Sequence, residues 1–215
     1  CNKYVLHIDT QFDRHSWRNR NKIRTHSGWM WLTVPVYTKG RFGQPLKEVR
    51  IVDKQDWQNK HWSAIRHNYA KSRFFCKYAQ YLEELLTFKR WGFLVDLDIA
   101  LINWSVEQLG IGTEIIISSA INSRATKTEG VVQICKELGA SEYISSAAGR
   151  NYLDEAMLMR EGIKFTYQDY AHPVYPQSHP GFIPYMSILD LLFNMGDRSL
   201  AVLTGKNNED NSSDS

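Results

Sequence analysis

The sequence predicts an α/β fold: a Rossmann-like parallel sheet core with flanking helices and an inserted helical segment. Short β-rich runs alternate with helical runs between residues 113 and 170, which is typical of parallel strands joined by crossover helices. A continuous helical pattern over about residues 54–110 forms the insertion. Hydrophobic residues make up 43% of the 215 positions, which is enough to build a core.

The first half of the chain contains three β-rich runs. Residues 4–9 and 28–36 carry the β-branched and aromatic side chains that favour strands. Residues 48–53 alternate in the same way, after a loop rich in Gly and Pro. The stretch between the first two runs, residues 11–25, is expected to be a structured loop.

Three helical patterns follow these runs. The first covers residues 53–72, and Asp53 or Asp56 suits its N-cap. The second and third cover residues 73–91 and 94–110, and the third ends at a glycine. In the first pattern, the residues that share one face at four-residue steps are Trp57, His61, Ile65 and Tyr69.

The alternating segment continues the chain. Strands are predicted at residues 113–118, 142–146 and 163–170, and helices at residues 127–139 and 151–162. Both helices end at a glycine. Because the connections are short, the strands are expected to be parallel, with ligands bound beyond their carboxyl ends.

The end of the chain completes the domain prediction. A last helix is expected over residues 185–196, one domain over residues 1–203, and a disordered acidic tail over residues 204–215. Three cysteines without a C-x-x-C pair suit a reducing cytosol. No run approaches 18 apolar residues, so we expect a cytoplasmic protein without a membrane span.

Charge is distributed unevenly along the chain. Residues 1–90 contain 18 Lys/Arg and 7 Asp/Glu, a net of +11, whereas residues 91–215 carry a net of −8. A basic half favours an anionic partner, such as nucleic acid, phosphates or an acidic carrier protein. Attraction between the two halves explains the same asymmetry equally well.

The most basic stretch is "QFDRHSWRNRNKIRT". Its Phe12, Trp17 and Ile23 require burial, and amides alternate with the cations, whereas a nucleic-acid arm would be flexible and nearly pure in Lys and Arg. The composition therefore favours a structured anion pocket over an arm. The five cations of the stretch are Arg14, Arg18, Arg20, Lys22 and Arg24.

Two later segments carry further candidates. "SSAAGRNYL" is a small-residue loop that enters a helix, which suits an anion, although a tight βα turn needs the same small residues. The Pro- and Tyr-rich loop over residues 168–184 contains His172, whose side-chain type suits general acid–base catalysis, although a structural loop histidine is the alternative.

Several kinds of site are not supported by the sequence. His61 and His67 are six positions apart and so lie on different faces of a helix, and His172 and His179 lack a carboxylate or cysteine at ligand spacing. There is no G-x-S-x-G nucleophile motif, and Cys135 falls on the apolar side of its helix. We therefore expect no metal, and the sequence identifies no cofactor.

Three motifs in order carry a resemblance that spans roughly residues 5–196. They are "DTQFDRHSWRNRNKIRTHSGWMWLTVPV", "KTEGVVQICKELGASEYISSAAGRNYLDE" and "YQDYAHPVYPQSHPGFIPYMSILDLLFNMG". Together they resemble the WbqC-like protein family, known mainly from gene clusters for bacterial O-antigen and other surface polysaccharides. The resemblance implies a cytosolic transferase, with acyl or aminoacyl transfer to an amino-sugar nucleotide as the activity.

The sequence departs from the family pattern in two places. It lacks the His-Gln-Pro-x-Tyr-x-Pro-type segment that usually precedes Asp-x-Gln-Phe, which implies an N-terminally incomplete member. It also has "SSAAG" where the family more often has a Ser-Gly-Pro-type loop.

The resemblance implies a set of polar site residues. Arg20 and Lys22 would neutralise a phosphate that neighbouring asparagines orient, and Arg150 would hold a second anionic group. His172 would take a proton from an attacking amine, assisted by Tyr175. The substrate- or phosphate-binding residues implied by position are Asp9, Gln11, Asn19, Arg20, Asn21, Lys22, Lys127, Gly149, Arg150, Tyr152, Gln177 and Asp190.

Two other functions stay open at this point. The expected partner is a phosphorylated small molecule, either a nucleotide sugar or an acyl donor, with an acyl carrier protein as a further candidate. The first alternative is a nucleic-acid-binding protein that uses the basic half, although nucleic acid is the less favoured partner. The second is a non-catalytic member of a biosynthetic complex that docks an acidic carrier.

Overall fold

The computed structural model describes residues 1–14, 16–53, 55–121 and 127–206. Within them the chain forms two compact units. Unit 1 comprises Cys1–Ile8 and Thr113–Ala171, and unit 2 comprises Asp9–Gly112 and the described residues from His172 onward. The expected single domain over residues 1–203 stays a prediction. The predicted acidic tail lies outside the described residues from position 207 onward.

The described residues form six strands and seven α-helices. The strands are β1 (Lys3–Leu6), β2 (Arg20–Thr25), β3 (Gly28–Thr33), β4 (Glu114–Ile117), β5 (Glu142–Ser146) and β6 (Lys164–Gln168). The helices are α1 (Trp57–Tyr69), α2 (Phe75–Glu83), α3 (Leu94–Gln108), α4 (Lys127–Glu137), α5 (Glu155–Arg160), α6 (Ile188–Met195) and α7 (Ser199–Thr204).

Unit 1 contains two pairs of parallel strands. β1 pairs with β4, from Lys3 opposite Glu114, and β5 pairs with β6, from Glu142 opposite Lys164. The parallel pairing of β5 and β6 through α5 is the predicted crossover unit. Each pair is a separate two-stranded sheet in the described part of the chain, so the Rossmann-like core stays a prediction. The small core of this unit consists of Val132, Cys135, Leu158 and Ile163.

Unit 2 contains an antiparallel hairpin. β2 and β3 pair from Arg20 opposite Thr33 to Thr25 opposite Gly28, with a two-residue turn between them. The expectation of a loop over residues 11–25 is therefore wrong for its second half, which is a 3₁₀ turn followed by a strand. The strand alternates, with Ile23 buried on one face, but the run of charges obscured that period.

Helix α1 has the buried face that the periodicity predicted. On α1, Trp57, Ile65 and Tyr69 are buried, and Ile23 of β2 belongs to the same core. Asp56 occupies the N-cap position, but its carboxylate accepts a hydrogen bond from Asn59 Nδ2 at 2.7 Å rather than capping the helix backbone. α2 continues into a π-helical turn, and α3 follows it.

The predicted strand over residues 48–53 is not regular. Its first residue, Glu48, belongs to a 3₁₀ turn over Leu46–Glu48. Two later residues form isolated β-bridges, Ile51 with Val36 and Arg50 with Phe93. The backbone is nevertheless paired, because Leu94 N–H donates to the Val49 carbonyl at 2.8 Å. None of the helices in the described ranges is long and apolar enough to cross a membrane.

Candidate functional site

Asp190 is the centre of a buried polar network in unit 2. It lies in the first turn of α6 and is fully buried. Its carboxylate accepts hydrogen bonds from the hydroxyls of Tyr69 at 2.8 Å and Tyr175 at 2.9 Å, and from Gln177 Nε2 at 2.9 Å. Burial raises the pKa of this carboxyl, and the three hydrogen bonds lower it. Asp190 thus holds three side chains together inside the unit.

Arg24 links this network to the hairpin. Its backbone N–H donates to the Tyr69 hydroxyl at 2.8 Å, and its Nε donates to Gln177 Oε1 at 3.3 Å. The guanidinium also donates to the carbonyls of Gly28 at 2.6 Å and Pro180 at 2.5 Å. Because Arg24 is buried and its donors are used, it fastens the Pro-rich loop to the hairpin.

His172 is held by backbone groups at both ring nitrogens. Nδ1 lies 2.8 Å from the Pro173 carbonyl, so Nδ1 carries the proton, and Nε2 accepts the Tyr185 backbone N–H at 3.2 Å. Tyr185 adopts a φ of 61°, which is unusual for a residue other than glycine. The nitrogen that would receive a proton from an amine already accepts a hydrogen bond. The catalytic roles of His172 and Tyr175 stay predictions.

One face of the hairpin combines two cations with three indole rings. The Lys22 ammonium lies 4.2 Å from the ring centroid of Trp29, 5.2 Å from that of Trp31 and 5.3 Å from that of Trp17. The Arg20 guanidinium lies 4.2 Å from the Trp31 centroid. Trp17 and Trp29 keep 54% and 44% of their surface exposed, so the expectation that Trp17 is buried like Phe12 and Ile23 is wrong. We call these five residues the indole face.

The indole face follows from the strand register. Arg20 and Lys22 lie two positions apart on β2 and so point to the same side, and Trp31 is directly opposite Lys22 on β3. Trp17 reaches the face from the 3₁₀ turn before β2, and its ring centroid is 4.9 Å from that of Trp31. No ion pair in the described part of the chain includes Lys22, and three indole rings have their centroids within 5.3 Å of its ammonium.

The asparagines of the same stretch do not share this face. Asn19 is buried and its Nδ2 donates to the Val34 carbonyl at 2.9 Å, which ties the end of the 3₁₀ turn to the chain after β3. Asn21 alternates to the other side of β2, where its Oδ1 accepts the Lys22 backbone N–H at 2.8 Å. The structure therefore brings Arg20 and Lys22 together and separates them from both amides.

The segment before the hairpin forms a second polar group. The Arg18 guanidinium donates to Thr10 Oγ1 and to the Gln11 carbonyl, both at 2.9 Å. Asp9 pairs with Lys47 at 2.7 Å. Asp98 on α3 interacts electrostatically with Arg18. Burial raises its pKa to about 7 although the cation acts in the opposite direction.

Four predicted site residues lie in unit 1. Arg150 stacks its guanidinium over Tyr167, 4.4 Å from the ring centroid, and Tyr152 is exposed. Lys127 begins α4 with a φ of 54°. Gly149 is buried, and a Cβ there would lie 2.1 Å from Ser145 Oγ, so this turn requires glycine for packing. The remaining ten predicted residues lie in unit 2.

Sequence reasoning missed two groups of residues. The three tryptophans of the indole face were visible beside the basic stretch, since Trp29 and Trp31 alternate and Trp17 lies within it. Asp98 carries no distinctive sequence signal, because it is one of three acidic residues in a mostly apolar helix. In the described ranges, no three His, Cys, Asp or Glu residues are placed to hold a metal ion.

Comparison with known proteins identifies a similar protein and the family of this chain. The chain is 36% identical to Uncharacterized protein Rv1507c of Mycobacterium tuberculosis over 195 residues, which cover 90% of this chain and 84% of that protein. No solved structure shows significant similarity to the chain. The WbqC-like protein family matches residues 1–202, and the chain belongs to that family.

Proposed function

We propose that the chain is a transferase of bacterial surface-polysaccharide (O-antigen) biosynthesis that binds a phosphorylated sugar on its indole face. The observation that carries the proposal is the Lys22 ammonium, which has three indole rings around it and Arg20 beside it on the same strand face. The WbqC-like family is known mainly from gene clusters for surface polysaccharides, and the proposed pathway is inferred from that setting.

The chemistry of the indole face suits such a ligand. A phosphate requires cations, and in the described part of the chain no carboxylate forms an ion pair with the Lys22 ammonium that lies over these rings. Indole rings also provide flat apolar surface against which the ring of a sugar can pack. The indole face therefore offers both halves of a phosphorylated sugar a suitable neighbour.

The reaction proposed is acyl or aminoacyl transfer to an amino-sugar nucleotide. The amine nitrogen of the sugar forms a bond to the acyl carbon, and the bond between that carbon and its carrier breaks. The carrier leaves with the electron pair, and the amine gives up a proton to a base. His172 is the proposed base, which requires that the Tyr185 N–H release its Nε2 when substrate binds.

The binding half of the proposal is tested by calorimetry on the full chain. UDP-N-acetylglucosamine is titrated into the native chain, Arg20→Met and Lys22→Met, with Lys60→Met, an exposed lysine on α1, as the matched control. We expect affinity to fall about tenfold in the first two variants and to stay unchanged in the control. Equal affinity in all four proteins would show that the indole face does not bind the nucleotide sugar.

The catalytic half needs its own readout. Mass spectrometry would follow acylation of an amino-sugar nucleotide by an acyl thioester. We expect His172→Ala to reduce turnover at least a hundredfold, with the binding of the nucleotide sugar preserved. Full turnover in that variant would show that His172 is not the base. Binding of oligonucleotides alone, weakening steeply with salt, would instead support the nucleic-acid alternative.

A further inference from the structure

The indole face also indicates which kind of phosphorylated ligand it takes. We propose that the exposed rings of Trp17 and Trp29 form a stacking site for the nucleobase of a nucleoside diphosphate, with the diphosphate at Lys22 and Arg20. This inference rests on the proposed function and deepens it, because it assigns the site to a nucleotide-linked substrate rather than to a carrier-linked acyl chain.

The three rings leave aromatic surface uncovered. Trp17 and Trp29 each meet Trp31 edge to face, with interplanar angles of 62° and 83° and centroid distances of 4.9 and 5.6 Å. Neither ring is therefore stacked flat on Trp31. Trp17 and Trp29 are exposed residues, with 54% and 44% of their surface accessible to water. Exposed aromatic surface of this kind, next to charge, marks interaction sites.

The position of Lys22 sets the chemistry of the ligand. Its ammonium is within 5.3 Å of all three ring centroids, so an anion bound there lies beside the exposed rings. A nucleotide joins a flat aromatic base to its phosphate through one ribose. Within a single small site, its base can therefore stack on an indole ring while its phosphate binds the ammonium. A phosphopantetheine chain carries a phosphate but no planar ring.

The same geometry argues for one nucleotide rather than a strand. Proteins that bind single-stranded nucleic acid place successive aromatic platforms along a charged groove. Here the rings converge on one ammonium instead of following one another along a path. A single base with its diphosphate therefore matches this arrangement better than a strand does.

The test separates the base from the diphosphate. UDP, pyrophosphate and uridine are titrated by calorimetry into the native chain, Trp17→Leu and Trp29→Leu. Phe88→Leu, which changes an exposed aromatic ring elsewhere in unit 2, is the control. We expect the native chain to bind UDP about tenfold more tightly than pyrophosphate. Each tryptophan variant should lose most of that difference and keep its affinity for pyrophosphate.

A conservative variant guards against loss of folding. Trp29→Tyr keeps an aromatic ring and should retain most of the preference for UDP, whereas a loss of folding in Trp29→Leu would weaken the binding of pyrophosphate as well. Equal binding of UDP and pyrophosphate, unchanged by either leucine variant, would overturn the nucleobase site and leave the proposed function standing. Absence of binding by all three ligands would count against the proposed function itself. Affinity for oligothymidylate that grows with its length would overturn the single-nucleotide site.

Discussion

The hydroxyl of Tyr69 on α1 donates to Oδ1 of Asp190 on α6 at 2.8 Å, across 121 positions of sequence. The same hydroxyl accepts the backbone N–H of Arg24 on β2 at 2.8 Å. Three elements of unit 2 therefore meet at one oxygen atom, which is buried with its partners. Burial raises the pKa of Tyr69, so the phenol stays a donor to the carboxylate.

Removing the carboxylate should destabilise unit 2 strongly. Asp190→Ala leaves two hydroxyls and one amide without their acceptor in the interior, and each buried donor left unpaired costs about 1–3 kcal/mol. We expect a loss of about 3 kcal/mol or more in the free energy of unfolding, measured by urea denaturation. Tyr69→Phe should cost about 1–3 kcal/mol.

The two substitutions should not be additive, because they remove the same hydrogen bond. Tyr81→Phe, on an exposed tyrosine of α2, is the control and should change stability by less than about 0.5 kcal/mol. Additive losses in the double variant would show that the Tyr69–Asp190 bond contributes little.

Gly196 and Gly205 offer a matched pair of glycine substitutions. Both have positive φ, 55° and 66°, but a Cβ on Gly196 would come within 2.6–2.8 Å of the Phe74 ring, whereas one on Gly205 meets nothing within 4 Å. Gly205 is left-handed helical, where alanine is strained by about 1–2 kcal/mol, whereas a ψ of −128° places Gly196 outside that region, in a conformation that other residues rarely adopt. Only Gly196→Ala adds a clash inside the core, so its midpoint of unfolding should fall well below that of Gly205→Ala. Equal midpoints would mean that Phe74 moves aside freely.

Some parts of this structure could be predicted from local sequence and others could not. The period of Trp57, Ile65 and Tyr69 is a local property, and it predicted α1 and its buried face. The charges of β2 obscure the alternation around Ile23, so the sequence predicts a loop where the structure has a strand. Arg20 and Lys22 lie on one face of β2 because of this two-residue alternation, so the loop prediction could not bring them together.

The network around Asp190 lies beyond sequence reasoning for a different reason. Its members come from β2, α1, the Pro-rich loop and α6, and no pattern in one window brings them together. The family resemblance implied Gln177 and Asp190 as polar site residues, but only the structure shows that they bond to one another. Composition indicated an anion pocket, and the packing of side chains decides which cations remain at the surface.

Gly149 tests whether the "SSAAG" turn is shaped by packing. A Cβ at this position would lie 2.1 Å from Ser145 Oγ and 3.0 Å from Leu153 Cδ1. We expect Gly149→Ala to lower the stability of unit 1 by about 1–3 kcal/mol, because overpacking forces neighbours to move. Hydrogen exchange of β5 and β6 would measure the loss locally.

The double variant Ser145→Ala with Gly149→Ala should recover part of that loss, because the closest contact is with the serine oxygen. Arg150→Ala is the control, since its side chain lies outside the turn over Tyr167. A Gly149→Ala protein with unchanged protection of both strands would leave the anion-binding role as the better explanation for the glycine.

His61 and Asp98 should give unit 2 two opposed dependences on pH. Burial lowers the pKa of His61 to about 4, and its Nε2 lies 3.1 Å from the Thr33 carbonyl. The unfolded chain therefore binds the extra proton first, so stability falls as pH drops from about 6.5 to about 4. Burial raises the pKa of Asp98 to about 7, so its native form binds the proton first and stability falls as pH rises from about 4 to about 7.

The two effects oppose each other in the native chain and separate in single variants. Asp98→Asn should leave the His61 dependence, so the variant gains stability relative to the native chain as pH rises from 4.5 to 7. His61→Gln should leave the Asp98 dependence and lose stability relative to the native chain over the same range. Each difference should reach about 2 kcal/mol in urea titrations at pH values between 4.5 and 7.5, since one unit of pKa corresponds to about 1.4 kcal/mol and both groups keep some contact with water. Curves that run parallel to that of the native chain would show that neither group is desolvated as the structure indicates.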